Sequence, residues 1–563
     1  MTATRRIVQR QAAPVGHDWP QQWPSLLRRV HAARGSGNAD AAMPRLAQLL
    51  PYQGLSGIDA AVSLLRDAMA RDAHIVVVGD FDCDGATACA MGVRGLRMLG
   101  ARRVSHAVPN RIVHGYGMTP GLVEELATLD PDLLVTVDHG IACHAGIAAA
   151  KARGWQVLVT DHHLPGATLP NADAIVDPSQ PGDTFPSKAM AGVGVMFYVL
   201  LALRANLGVQ ADLASLLDLV AVGTVADMVP LDANNRALVG AGLRRLRAGQ
   251  GCAGLRALVE VAGRNEAQLS TADIGFAIGP RINAAGRLED MGIGIACLLS
   301  DDLAQARELA DVLHRINHER RSVQAGMQDI AEAQLGVFDD GPPPAAVCLQ
   351  DPDWHPGVVG LIASKLTERL HRPAIAFAPL EPGSAQLRGS ARSIPGFHIR
   401  DALALVDARH PGIIARFGGH AMAAGLSLHI DQLHAFSTAF VQVAESWITP
   451  DLLTDVLLSD GELDAADFGI EAALALRDGG HWGQGYPEPL FDGVFEVLRS
   501  RIVGERHLKL ELACGSQRVN AIQFGGWDGL APPGRVRIAF RLVPDTYRGL
   551  DAIQLVVVHR EPA

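Results

Sequence analysis

IVVVGDFDCDG, residues 75–85, sets a fully apolar β-branched run against three acids spaced two apart, Asp80, Asp82 and Asp84. Working outward, the same grammar returns three times: LLVTVDHG (133–140), VLVTDHH (157–163) and AIVDP (174–178). Short continuous apolar runs separated by helix-length segments predict a parallel α/β sheet whose strands are buried on both faces. In such a sheet the carboxyl ends of all strands share one edge, the edge where ligands bind. Asp80, Asp82, Asp84, Asp138, Asp161, His162, His163 and Asp177 should therefore converge there. An extended backbone at 80–84 would point its three carboxylates the same way. Converging carboxylates are costly unless cations neutralise them, and carboxylate with imidazole suits Mn²⁺ or Mg²⁺. Asp177 is expected to be an ordinary helix N-cap. An EF-hand loop starting at Asp80 is excluded, because its twelfth position is Met91 rather than Glu and a strand precedes it.

The chain has 563 residues, 48% hydrophobic and 19% charged, enough for several packed cores. The charge-free apolar stretch Ala189–Leu203 has 15 residues including two glycines, too short to span a bilayer. No membrane partner is expected. Seven cysteines, an odd count without a CxxC, point to a reducing, cytoplasmic setting. Net charge is −11, yet residues 499–563 carry 10 Lys and Arg against 6 Asp and Glu. A basic tail on an acidic body suits a separate polyanion-binding module.

Residues 1–45 read as an N-terminal arm, mostly Pro, Gln, Trp and Arg without sustained periodicity. A first α/β domain is expected over 46–245 and a helical region over 246–336. Within the latter, Leu303–Leu335 keeps apolar residues at helical spacing over roughly 50 Å, a rod joining domains. Gly341-Pro342-Pro343-Pro344 should end it. A second, glycine-rich α/β domain follows over 337–450. Residues 451–563 hold five strand-like runs (495–503, 507–513, 517–524, 535–543, 552–560), which fit a small OB-type barrel.

GDFDCDGAT (79–87), PNRIVHGYG (109–117), TVDHGI (136–141), TDHH (160–163) and GTVADMVPL (223–231) resemble the successive motifs of the DHH phosphoesterase superfamily. IGPRINAAGRL (278–288), HPGVVGLIASKL (355–366), GSARSIPGFHIRDAL (389–403) and FGGHAMAAGLSL (416–428) are similar to its bacterial RecJ subgroup, the last marking a DHHA1 domain. The resemblance implies a multidomain α/β chain: a parallel-sheet DHH domain, a long helix, a DHHA1 domain and a C-terminal OB barrel. It implies single-stranded-DNA-specific 5′→3′ exonuclease activity releasing 5′-mononucleotides by two-metal hydrolysis, in DNA recombination and repair. It also implies a single-strand DNA-binding protein and a RecQ-type helicase as partners. The rival activities are a pyrophosphatase, a phosphodiesterase acting on short oligonucleotides or cyclic dinucleotides, and a non-catalytic DNA-binding replication scaffold.

Carried over residue by residue, the resemblance makes Asp82 and Asp84 metal ligands and Asp138 the bridge between metals. Asp80 becomes a further ligand or an acid behind them. His162 becomes a ligand, His163 a group behind the ligands or in contact with a phosphate, and Asp161 the residue that orients an imidazole; Asp227 completes the set. Val78 stands where many DHH phosphatases have a metal-binding His, which implies that one metal is held more weakly. For substrate, Arg111, Ser390 and Arg392 resemble a 5′-terminal phosphate pocket, and Gly418, Gly419 and His420, with a helix expected to follow, a phosphate cradle. Arg281, Asn283 and Arg287 resemble contacts to the DNA backbone. Tyr116 is a candidate for base stacking, and His355 and His398 are given no metal role.

Overall fold

A computed structural model describes residues 5–11, 13–16, 18–111, 113–336, 344–515, 517–545 and 552–563. It divides into two compact units, Gln11–Asn317 with Asp460–Ala563, and Met1–Arg10 with His318–Ser459. The first strand among the described residues, β1 (Arg5–Gln9), belongs to the second unit.

The first unit is built on β2 (Ile75–Val78), β3 (Val104–Ala107), β4 (Leu133–Val137), β5 (Gln156–Thr160) and β6 (Ala174–Val176), all parallel in the order β3-β2-β4-β5-β6. Every residue of β2 and β4 is buried. Alternation of side chains sends Ile75, Val77, Leu133, Val135 and Val137 to one face, against the helices Cys83–Met98 and Gly192–Leu207. Val76, Val78, Leu134, Val157 and Val159 meet Leu122, Leu126 and Ile147 on the other. Each fully buried Val or Leu contributes about 1.5–3 kcal/mol relative to exposure, so a one-residue slip of register would be prohibitive. Strand β3 escaped the sequence reading because VSHA lies at the sheet's edge and only Val104 is buried.

The second unit holds β7 (Val347–Gln350), β8 (Ala374–Pro379), β9 (Gln386–Arg392), β10 (Arg416–Gly419) and β11 (Ala423–His429), ordered β10-β11-β9-β8-β7. Only β7 and β8 run parallel; the other pairs are antiparallel. Strand β12 (Asp455–Ser459) pairs in parallel with β1, and Arg5 Nε donates to the Asp455 carboxylate at 2.7 Å.

The chain passes back to the first unit at Asp460. There β13 (Phe491–Val503), β14 (His507–Cys514), β15 (Gln517–Gln523), β16 (Arg535–Pro544) and β17 (Ile553–Pro562) close a five-stranded barrel. Extra residues at Leu498 in β13 and Val558 in β17 let these two strands bend around it. Phe491, Phe495, Phe540, Leu510 and Ile538 fill its interior.

The helix Leu303–Leu335 has the expected bounds, with its two ends in different units. Of its expected terminator, Gly341, Pro342 and Pro343 lie outside the described residues. The expected N-terminal arm is corrected. Beyond β1, residues 25–32 form a helix, and His31 lies among Trp19, Trp23, Trp482 and Tyr486 with ring centroids 5.1–6.1 Å away. Arg34 and Asp460 form a buried bidentate pair at 2.8 and 2.9 Å. The partners of this segment lie more than 400 residues downstream, so no local periodicity announces it. Among the described residues no helix is long and apolar enough to cross a membrane.

Candidate metal centre

Each of β2, β4 and β5 ends on a group of the site. After β2 the chain does not stay extended, which corrects the expected geometry of Asp80, Asp82 and Asp84. Asp82 is the N-cap of the helix Cys83–Met98, accepting the Gly85 N–H at 3.0 Å, and Asp84 lies in its first turn. Convergence comes from this helix start and from β4. Oxygen atoms of Asp80, Asp82 and Asp138 lie within 4.8 Å of one another, as do ligand atoms of Asp84, His162 and Asp227, and of Asp138, His162 and His163. Asp138 thus takes part in two of the three groups. Its backbone is held at φ 65°, a strained value for a residue with a Cβ.

Two glycines let the acids sit this close to the helices behind them. A Cβ on Gly192 would lie 2.6 Å from the Asp138 Cβ, and one on Gly223 would lie 2.7 Å from Asp84 Oδ1. Asp84 also accepts the N–H groups of Gly192 (2.6 Å) and Val193 (3.0 Å), which locks it to the N-terminus of a helix. Asn283 accepts the Cys83 N–H at 2.8 Å, so it braces the loop that carries the acids. Its role in the site's architecture is invisible locally because 200 residues separate the partners.

Burial, then the charge of Asp82, pushes Asp84 up to about 7 and Asp80 well above the usual carboxylate range. Burial, then Asp84, does the same to Asp138 and Asp227. Asp80 Oδ1 and Asp227 Oδ2 are buried and accept no hydrogen bond among the described residues. Such oxygens are expensive to leave bare, and a carboxylate set with one or two imidazoles fits Mn²⁺ or Mg²⁺. Val78 is a buried strand residue and offers no ligand atom.

Asp161 behaves oppositely. Burial works against its charge, but a 2.7 Å hydrogen bond with His163 Nδ1 and the His163 charge hold its carboxyl well below the usual range. The same pair drives His163 up to about 9 against its own burial, so it is a cation at neutral pH. Asp161 also accepts the N–H groups of His162 and His163 on one oxygen and that of Ile141 on the other. His162 Nε2 lies 3.0 Å from Asp138 and 3.5 Å from Asp227. The Tyr116 ring is half exposed beside Phe81 and His163, while its hydroxyl donates to the Asp138 carbonyl at 3.3 Å. That hydroxyl's burial and the nearby carboxylates raise its pKa well above ordinary phenol. The Arg111 guanidinium packs over Phe81 at 4.9 Å.

Asp177 starts no helix, contrary to expectation. It accepts the Ser179 N–H at 2.6 Å in a turn, and burial, then Asp161, pushes it up to about 7. Arg281 is turned to His314 (3.1–3.2 Å) and to the Ala277 carbonyl (2.6 Å), and Arg287 is half-buried on the same helix as Asn283.

In the second unit, Arg392 Nη1 donates to Ser390 Oγ at 3.1 Å and to the Ala391 carbonyl, so these two sit together on β9. A Cβ on Gly360 would approach Ser390 Oγ to 3.0 Å and Arg392 Nη2 to 3.2 Å. The helix expected after Gly418-Gly419-His420 is absent. Gly418 and Gly419 close β10, and the chain turns through His420 directly into β11. The glycines serve an antiparallel pairing, so a helix-terminus cradle is withdrawn. His398 Nδ1 accepts the Asp401 N–H at 3.2 Å as a helix N-cap, and His355 Nδ1 accepts that of Gly357.

Residues 74–224 match the DHH family, N-terminal domain; 344–446 match the DHHA1 domain; and 459–559 match the RecJ OB domain. The single-stranded-DNA-specific exonuclease RecJ of Dickeya dadantii is 48% identical over 96% of this chain and 97% of its own. That of Escherichia coli is 46% identical over 96% of both. The chain belongs to the RecJ family. The crystal structure of RecJ in complex with Mn²⁺ from Thermus thermophilus superposes with a TM-score of 0.81 at 31% identity, covering 100% of this chain and 80% of that one. A Mg²⁺ complex of the same protein gives 0.77 at 29% identity. As a RecJ-family chain, it carries its DHH acids, its DHHA1 sheet and its barrel in family order.

Proposed function

We propose that this chain degrades single-stranded DNA from the 5′ end and releases 5′-mononucleotides, using two divalent cations, Mn²⁺ or Mg²⁺, at the β2–β4–β5 edge. The observation that carries the reading is the set of overlapping ligand groups around Asp138, in which Asp80 Oδ1 and Asp227 Oδ2 are buried without a hydrogen-bond partner among the described residues. Asp80, Asp82, Asp84, Asp138, His162 and Asp227 are the proposed ligands, with Asp138 shared. When bound, the cations supply a strong nucleophile at neutral pH and neutralise charge on the attacked phosphate. Asp161 fixes the His163 ring, and the His163 cation offers a proton-bearing charge to a phosphate oxygen as negative charge grows there. Tyr116, with its ring exposed beside Phe81, is placed to stack on a base near the cut.

Ser390 and Arg392 are the proposed ligands of a 5′-terminal phosphate, and Arg111 is a candidate for phosphate contact in its own unit; Gly418, Gly419 and His420 remain candidates for DNA contact through their backbone. Arg281 and Arg287 are candidates for contact with the DNA backbone, and the barrel for holding the strand. The proposed setting is recombination and repair in the cytoplasm, alongside a single-strand DNA-binding protein and a RecQ-type helicase. A dinucleotide phosphodiesterase or a pyrophosphatase would need the acids but not the barrel, and a scaffold would not need intact ligand groups. The test is a metal-dependent assay on long single strands, dinucleotides and pyrophosphate, with 5′-blocked and 3′-blocked strands in parallel. Rapid release of mononucleotides from long and 3′-blocked strands, and slow release from 5′-blocked ones, is expected. Preference for dinucleotides or pyrophosphate would reject the reading, and arrest by the 3′ block would reject its polarity.

A further inference from the structure

The β9–β11–β10 face carries more positive charge than one terminal-phosphate pocket uses. Along β9, Arg388, Ser390 and Arg392 alternate with Leu387, Gly389 and Ala391, which are buried; Leu387 and Ala391 belong to the core on the opposite face. Arg388 pairs with Ser427 of β11, and Ser427 pairs with Arg416 of β10. The three therefore form one cross-strand row on the Ser390 face, with the two arginines at its ends. The next row is Ser390, Gly425 and Gly418, small residues that leave the surface low beside them. The helix Val359–Leu370 packs on β8 and β9, while Gly425, Gly418 and Arg416 are exposed, so the row opens to solvent on the β10 side.

Among the described residues neither the Arg388 nor the Arg416 guanidinium has a hydrogen-bond or ion-pair partner. Arg388 is half-buried, and burial alone lowers its pKa, with no carboxylate near enough to oppose it. A partly desolvated charge without a counter-ion costs stability, and an anion from outside would relieve that cost through charge-assisted hydrogen bonds. The arginine Cα atoms are two strand spacings apart, roughly 10 Å, a gap that two guanidinium forks close over one phosphate with Ser427 beneath. Arg392 is four residues from Arg388 along β9, roughly 13 Å, too far to serve the same phosphate group.

We propose that Arg388, Ser427 and Arg416 form a phosphate-binding subsite separate from Ser390 and Arg392, for a phosphate carried by a nucleotide or by the DNA strand. The chemistry is the same for both sources, and the experiment separates them. The full chain and its R388Q/R416Q variant are compared for binding of a 5′-phosphorylated single strand across a salt series, and separately for direct binding of 5′-dAMP. If the strand supplies the phosphate, the slope of log K against log salt becomes shallower by about 1.4, two contacts at about 0.7 each. If a free nucleotide supplies it, the slope stays and the dissociation constant of 5′-dAMP, measured directly without the strand, rises at least tenfold. No change in either measurement overturns the proposal. The melting temperature of the variant should hold or rise, because an uncompensated charge has been removed; a fall of several degrees would assign the arginines an internal role and also overturn it. Should the double variant not fold, R416Q alone carries the same test with half the slope change, since Arg416 is exposed. R392A is scored separately on 5′-phosphate preference, so failure of the proposed polarity leaves this result readable.

Discussion

The crevice at the ends of β2, β4 and β5 and the arginine face of β9 are opposite solutions to one electrostatic problem. In the crevice, Asp80, Asp84, Asp138 and Asp227 raise one another's pKa through burial and repulsion. On β9, burial depresses Arg388 and Arg392 with no acid in attendance. Each region is locally unstable in charge, and in the reading proposed above each gains its missing partner from outside: divalent cations in one case, phosphate oxygens in the other. The difference teaches where stability has been given up for function, since both would be better packed with neutral residues. It also explains how a chain of net charge −11 can belong to a family that acts on a polyanion. The acids are mostly buried, where the proposed cations would counter them, while Arg416 is presented on an open strand face.

The strongest way to break the comparison is Asp138→Ala. Asp138 belongs to two of the three ligand groups, so its loss should lower turnover on single-stranded DNA at least about a thousandfold, roughly 4 kcal/mol. The metal-free variant should melt no lower than the parent, because a repelling carboxylate has gone. Near-parental turnover with added Mn²⁺ would show that the crevice is not the reaction centre.

Asp177 sharpens the comparison, since it shares the buried-acid signature without joining a ligand group. Its folded pKa of about 7 lies above the ordinary carboxylate value, so the folded state holds more protons between about pH 4 and pH 7. Its contribution is fully present below pH 4 and lost as pH rises through 7. Asp177→Asn keeps the Ser179 hydrogen bond and should flatten that part of the stability curve, adding on the order of 3 kcal/mol at pH 8. Denaturant midpoints at pH 5 and pH 8 measure this. A variant that tracks the parent at both pH values would place the carboxylate's titration elsewhere.

On the other side, Arg392→Ala should reduce the preference for a 5′-phosphorylated over a 5′-hydroxyl strand about tenfold. A charge-assisted hydrogen bond contributes about 1.5–3 kcal/mol. Rates on both strands with saturating metal measure it, and equal losses on the two would remove Arg392 from terminus recognition.

What was legible in the sequence divides along the same line. The crevice was readable because a buried parallel strand must be apolar throughout, so an Asp at its end stands out against IVVV or LLVTV. The groups on β9 were found through motif resemblance, and the Arg388–Ser427–Arg416 row was not, because cross-strand register is not written in any local pattern. Long-range partners escaped for the same reason. The stack of Trp19 and Trp23 around His31 with Trp482 and Tyr486, and the β1–β12 pairing, join segments whose sequences show no periodicity. Where the reading relied on ideal local geometry it failed: Asp82 and Asp84 lie at a helix start rather than on extended chain, and Gly418-Gly419 end a strand rather than opening a helix.

The smallest expected effect concerns Asn283, which belongs to none of the ligand groups but holds the Cys83 N–H at 2.8 Å. That N–H opens the helix whose first residues include Asp84 and whose N-cap is Asp82. Asn283→Ala leaves a backbone donor at a helix N-terminus without its partner, a loss of about 1 kcal/mol. It also frees the loop to sample positions in which the two carboxylates diverge. Apparent Mn²⁺ affinity should fall about fivefold, with turnover at saturating Mn²⁺ nearly unchanged, because the ligand atoms themselves remain. Asn283→Asp, which keeps an acceptor at that position but adds a charge, should restore the hydrogen bond while tightening cation binding only if its carboxylate reaches the crevice. A loss of turnover that saturating Mn²⁺ cannot recover in Asn283→Ala would mean that this residue contacts the DNA as well as bracing the loop, as its motif resemblance implies.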